Sequence, residues 1–199
     1  MVRDLELFSK RARLNTPASA TDIDEERAPP PDTHSVPPEA STMGVIERVD
    51  MINFMCHRNL SITLGPRINF IIGHNGSGKS AILTAITVTL GGKAQTTSRG
   101  SSLKDFILEG AQAAEVRVRL RNGGSDAYRP DLYGDAINIE RRIHSDGSGS
   151  WKIKNADGKT ISTKREELDA ICDHANIQVD NPMNILSQDA ARQFLGSSQ

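Results

Sequence analysis

The eight residues Gly73-His74-Asn75-Gly76-Ser77-Gly78-Lys79-Ser80 constrain this chain more than any other segment. They fit the G-x-x-x-x-G-K-[ST] phosphate-binding pattern without a mismatch. Upstream, Ile68-Asn69-Phe70-Ile71-Ile72 is apolar and predicts a strand. Downstream, residues 81–90 predict a helix closed by Gly91-Gly92. Strand, Gly-rich loop and helix in that order imply an α/β phosphate-loop NTPase and a bound nucleoside triphosphate. Gly73, Gly76 and Gly78 are expected to let the backbone turn its N–H groups inward, and the helix start adds amides and the positive end of its dipole. Lys79 would reach the β- and γ-phosphates, and Ser80 would place its hydroxyl on Mg²⁺. The nucleotide-binding residues expected here are Gly73, His74, Asn75, Gly76, Ser77, Gly78, Lys79, Ser80 and Ala81. A plain strand-helix corner would need neither the Lys-Ser pair nor the glycine spacing.

The rest of the composition bounds the setting. With 199 residues there is room for one ordinary domain and a tail. Net charge is −1, so total charge names no polyanionic partner. Residues 1–43 carry five Lys/Arg against eight Asp/Glu, and the remainder carries 19 against 17. A nucleic-acid surface must therefore be a local patch. Aromatics make up 4%, which argues against a base-stacking platform, and the lone Trp151 reads as a core or strand residue. Cys56 and Cys172 lie far apart, as expected of free thiols in a reducing compartment. No apolar run approaches the roughly 18 residues that cross a bilayer, so no membrane partner is expected. Asp4 and Glu6 argue against a mitochondrial presequence.

Residues 1–43, with Pro29-Pro30-Pro31 and Pro37-Pro38, predict a disordered extension, because they offer too little apolar surface to offset ordering entropy. Residues 44–199 are read as the folded part. Strands are expected over 45–52 and 60–64, and a short helix capped by Ser101 or Ser102 over 103–108. Residues 114–120 alternate with period two, sending Val116, Val118 and Leu120 to one face and Arg117 and Arg119 to the other. Residues 137–143 and 150–154 predict a hairpin around Asp146-Gly147-Ser148-Gly149. Asn155-Ala156-Asp157-Gly158 predicts a turn. Thr163 and Glu166 have the spacing of a capping box opening a helix through Leu168, Ile171 and Cys172. A last helical start is expected at 189–195. The expected sheet is mixed, with an antiparallel β-rich insert between the phosphate loop and residue 188.

No Asn-Lys-x-Asp guanine-reading motif is present, which argues for ATP over GTP. Gln188 follows an apolar stretch more than a hundred residues after Lys79, the arrangement of an ABC-type Q-loop. Asn53-Phe54-Met55-Cys56-His57, residues 69–83 and Asp180-Asn181-Pro182-Met183-Asn184-Ile185-Leu186-Ser187-Gln188-Asp189 together resemble the structural-maintenance-of-chromosomes (SMC) family. Within it they are most similar to the sixth-subunit type, which pairs with the fifth in a DNA-repair complex. The resemblance covers about residues 44–199, the N-terminal half of the ATPase head, with residues 190–199 at the start of the first coiled-coil arm.

The resemblance implies roles residue by residue. Lys79 and Ser80 match the catalytic phosphate-loop lysine and the Mg²⁺-binding serine. Gln188 matches the Q-loop glutamine, which touches Mg²⁺ and the attacking water and so counts among catalytic and metal residues. Arg99 resembles the head arginine that reaches towards nucleotide, although it would serve equally as a solvated loop residue. Arg58 could line the same site or lie on the surface. The family's Asp-Glu pair and Leu-Ser-Gly-Gly-like signature are not found in these residues, so the chain alone is expected to hydrolyse ATP negligibly. Implied partners are the C-terminal half of the same head, a fifth-subunit-type partner head, non-SMC subunits and DNA, in the nucleus on the chromosome. DNA could be met through phosphates by Arg117, Arg119, Arg121, Arg141, Arg142, Lys152 and Lys154, if the strands bring them to one face. The bland alternative is alternating charge on a solvated face.

Three other readings stay open at this point: the head of a zinc-hook coiled-coil DNA-repair ATPase, a non-catalytic interaction module that competes for the partner head, and a small-molecule kinase. The Asn53–His57 and Asn181–Asn184 stretches favour the SMC reading over the zinc-hook one. The β-rich insert disfavours the kinase.

Overall fold

A computed structural model describes residues 43–97, 99–181, 184–186, 191 and 196. Six strands form one sheet: β1 (Ile46–Phe54), β2 (His57–Thr63), β3 (Ala113–Arg121), β4 (Ala136–His144), β5 (Gly149–Lys154) and β6 (Thr160–Ser162). Their order is β2-β1-β3-β4-β5-β6, and every neighbouring pair is antiparallel. Among the residues described without gaps, three helices accompany the sheet: α1 (Lys79–Thr89), the one-turn α2 (Pro130–Tyr133) and α3 (Arg165–His174).

Period-two patterning builds the two faces. Registered across the sheet, Val49, Val118, Ile139 and Ile153 stand in one row, all fully buried. They share a core with α1 residues Ile82, Ala85 and Val88 and α3 residues Leu168 and Ile171. Phe54 at the end of β1 is fully buried against Phe106, with ring centroids 5.7 Å apart. The turn after it carries Met55 to within 2.7 Å of Phe106 O, so the β1–β2 hairpin tip is fixed to the 103–107 segment.

The opposite face is charged in alternating sign. Asp50, Arg117, Glu140 and Lys152 occupy successive positions across β1, β3, β4 and β5. Glu140, only 6% exposed, lies 3.4 Å from Arg117 and 2.7 Å from Lys154. Glu47 receives Arg119 and Arg121 at 3.1 and 2.7 Å. Burial by itself would raise both carboxyls. For Glu140 the Lys154 hydrogen bond and the charges of Lys154, Lys152 and Arg117 outweigh it, and for Glu47 Arg121 and Arg119 do, leaving both below the ordinary value of 4.5. Folded carboxyls that ionise more readily than unfolded ones stabilise the fold above that value, and the contribution is lost as pH falls through the lowered folded pKa. The urea midpoint is expected to drop as pH falls below about 4.5, with Glu140→Gln flattening that dependence.

Several expectations need correction. Residues 68–72, expected as a strand, form none among the described residues, and Ile68, Phe70 and Ile72 are 81%, 74% and 66% exposed. The strands that pair among the described residues all run antiparallel, the β-rich part of the sheet that was expected. The helix over 103–108 contracts to a 3₁₀ turn, Leu103–Phe106, because Ile107 turns extended to bridge Phe54. Its Ser102–Asp105 capping box does form. Thr163 opens no capping box: Lys164 is the N-cap of α3, and its N–H is taken by Ser162 Oγ at 3.2 Å. The 114–120 alternation, the 137–154 hairpin and the helix through Leu168, Ile171 and Cys172 stand as expected. No helix among the described residues is long and apolar enough to cross a membrane. The 1–42 tail and most of 189–195 lie outside the described residues.

Candidate nucleotide-binding site

The site begins where the exposed 68–72 segment enters the loop. Gly76 and Gly78 hold φ of 83° and 85°, a left-handed conformation that residues bearing a Cβ adopt only with strain. Gly73 is not among the positive-φ glycines, so two glycines, not three, make the turn. Around Gly76 no atom lies within 4 Å of where a Cβ would stand, so the loop is open there. Gly78 is different. A Cβ on it would meet Cys56 Sγ and His57 Cε1 at 2.6 Å and His57 Nε2 closer still. The β1–β2 hairpin tip therefore forms the floor of the loop, with His57 Nε2 3.4 Å from Gly78 O.

Directly after Gly78, α1 starts at Lys79 with no side-chain cap and no acidic residue in its first turn. A helix start with no side-chain cap suits an anion, with the Ala81 N–H already donated to Gly78 O at 2.9 Å. Lys79 Nζ donates to Gly73 O at 2.6 Å and His74 O at 2.8 Å, holding the ammonium over the loop. Arg99 Nη2 donates to Ser80 Oγ at 3.1 Å. Lys79 and Ser80 from the helix start thus converge with Arg99. A left-handed glycine cradle, an uncapped helix N-terminus, two cations and the Ser80 hydroxyl that Arg99 meets suit a triphosphate with its divalent ion.

Of the expected site residues, Gly73 to Ala81 and Arg99 come together. Arg58, on β2 beside His57, is exposed. Gln188 lies outside the described residues. Six of the seven cations expected on one face share the charged side of the sheet. Arg141 does not: its position on β4 turns it inward, where it is 5% exposed and stacks 3.2 Å over the Trp151 ring. Many of the other six are ion-paired with Glu47, Glu115 or Glu140.

Sequence reasoning missed His57 and Cys56 as neighbours of Gly78, because the contact spans 21 residues and leaves no local pattern. It also missed the Arg141–Trp151 stack. Their strands form a recognisable hairpin, and counting its register would have set these two residues opposite each other.

Comparison with known proteins agrees with this geometry. Residues 48–198 match the AAA domain family. The chain is 54% identical over 156 residues to structural maintenance of chromosomes protein 6 of Schizosaccharomyces pombe, covering 78% of this chain and 14% of that protein. It is 50% identical over 159 residues to the Homo sapiens protein of the same name, covering 79% and 15%. The chain thus spans about one seventh of the length of these curated relatives. Among solved structures, an SMC ATPase from a study of ATP-driven dimerisation superposes with a TM-score of 0.65 at 29% identity, covering 75% of this chain and 90% of that one. The Pyrococcus furiosus Smc head, bound to the C-terminal domain of ScpA, gives 0.63 at 30% identity, covering 78% and 39%. The chain belongs to the AAA domain family and matches the N-terminal half of an SMC head.

Proposed function

We propose that this chain supplies the phosphate loop and Q-loop to a composite ATP hydrolysis site in an SMC complex of chromosome maintenance and DNA repair. The observation that carries the proposal is the pairing of a phosphate cradle with an unpaired, exposed apolar segment leading into it. Ile68, Phe70 and Ile72 form a period-two stripe that a neighbouring strand would cover. That strand is assigned to the C-terminal half of the same head, which also brings the Asp-Glu pair. A fifth-subunit-type head would bring the signature motif from across the nucleotide.

Within the site, Lys79 and the α1 amides hold the phosphates, and Arg99 lies where it can join Ser80 to the γ-phosphate side. Ser80 and Gln188 would hold Mg²⁺, which supplies charge neutralisation between the phosphates when bound. Nucleotide between two heads would join them and gate DNA entrapment in a nuclear, chromosomal complex with non-SMC subunits. DNA phosphates would be met by the charged sheet face, where Arg142 and the partly paired arginines and lysines leave a cationic excess.

Mixing the chain with the matching C-terminal half-head tests this reading. Association is expected, and Phe70→Asp should weaken it on the order of 30-fold or more, since a buried phenylalanine is lost and a carboxylate is placed at the seam. Unchanged association in Phe70→Asp would sink the reading.

A further inference from the structure

At the far end of α1, about 16 Å from the phosphate loop by helix rise, lies a cavity of about 390 Å³. Its lining includes Lys93, Arg141, Arg165 and Trp151, and no acidic residue. The helix end is already satisfied there. Trp151 Nε1 donates to Thr89 O at 3.0 Å, Arg165 Nη2 to Gly91 O at 3.0 Å, and Cys172 Sγ lies 3.7 Å from Leu90 O. The α1 carbonyls therefore leave little demand for the cavity's cations.

Arg141 is the anomaly. Its guanidinium is sandwiched on Trp151, and Nε and Nη1 are buried with no hydrogen-bond partner among the described residues. Arg165 reaches the same ring at 5.1 Å, so two guanidinium groups share one indole. Burial, and secondarily the charge of Arg165, pull Arg141 down to about 10, so it stays protonated at neutral pH. Gly149 makes the room, since a Cβ there would stand 3.0 Å from Arg141 Nη2. An unpaired buried cation beside a second cation is costly, and a cavity that concentrates such groups is complementary to an anion.

The charge count selects the anion. Asp169 takes Arg165 Nε at 2.7 Å, while Lys93 has no ion pair among the described residues. Arg141 and Lys93 are left uncompensated, a match for a dianion and not for a single carboxylate. We propose that this cavity is a second anion site, distinct from the nucleotide loop, that binds a phosphate monoester. The group could arrive as a free phosphate compound or on a phosphorylated side chain.

Trp151 is the only tryptophan and lies in the cavity, so its fluorescence reads this site alone. The 199-residue chain carrying Lys79→Ala, which disables the loop, is titrated with inorganic phosphate and with a phosphoserine tripeptide against potassium chloride of equal ionic strength. A saturable Trp151 response is expected, weakened about fivefold by Lys93→Gln and about tenfold or more by Arg165→Gln. Saturation by the peptide at least about tenfold below inorganic phosphate assigns the site to a phosphorylated side chain; otherwise it belongs to a free phosphate compound. No saturable response to either probe, or one undiminished in both variants, overturns the proposal. Lys93 is exposed, so its variant tests the site without risk to the fold.

Discussion

Lys79→Ala is expected to cut ATP turnover of the assembled head pair by on the order of 100-fold or more, as for loss of one preorganised group facing developing charge. The ammonium is placed over the loop by two carbonyls, Gly73 O and His74 O, which it can leave for phosphate oxygens because neither bond is deeply buried. No other lysine shares that position, and Arg99 is engaged with Ser80 Oγ. Stability should barely move, within about 0.5 kcal/mol, since the two hydrogen bonds lost run to loop carbonyls and neither is deeply buried. Steady-state turnover and a thermal melt on the same preparation check both halves. Retained turnover would remove Lys79 from the chemistry.

Gly78→Ala is expected to damage stability and nucleotide binding together, and more than Gly76→Ala does. Both glycines are left-handed, so each alanine incurs a backbone cost of about 1–2 kcal/mol. At Gly76 that is all, because nothing stands near the added Cβ. At Gly78 the methyl enters the space of Cys56 and His57, adding about 1–3 kcal/mol of overpacking. The His57 ring can swing aside, but only by leaving Gly78 O and lifting the hairpin tip from the loop. Parallel melts and ATP titrations of the two variants read the difference. Equal losses would mean that the hairpin is not the loop's floor.

The loop was legible in the sequence because its chemistry is local: glycine spacing, a lysine and a serine in eight consecutive residues. The strand faces were legible for the same reason, since Val116, Val118 and Leu120 announce a two-residue period. What escaped reading was long-range. Residues 68–72 have a strand's composition, yet composition does not say whether a neighbour is present to bond the backbone, and Ile68, Phe70 and Ile72 stand exposed. The run Glu140-Arg141-Arg142 looks uniformly charged, but the pleat sends Glu140 and Arg142 outward and Arg141 onto Trp151. A cation counted towards a DNA surface thus lies inside. Arg99 was placed beside the site by resemblance alone, and its contact with Ser80 spans 19 residues.

These elements act through one geometry. Phe54 and Phe106 anchor the hairpin tip, the tip lies under Gly78, and α1 with Lys79 starts directly after Gly78. The exposed 68–72 segment enters that same loop, so on the proposed reading covering it and completing the site are one event.

ATP turnover by the purified chain is the most direct test, measured alone, with the matching C-terminal half-head, and with a fifth-subunit-type head added. The account predicts negligible turnover alone, appearance of activity only with both additions, and its loss in Lys79→Ala. Turnover by the chain alone at an ordinary enzyme rate, on the order of 1 s⁻¹ or faster, would contradict a composite site and require a self-contained one.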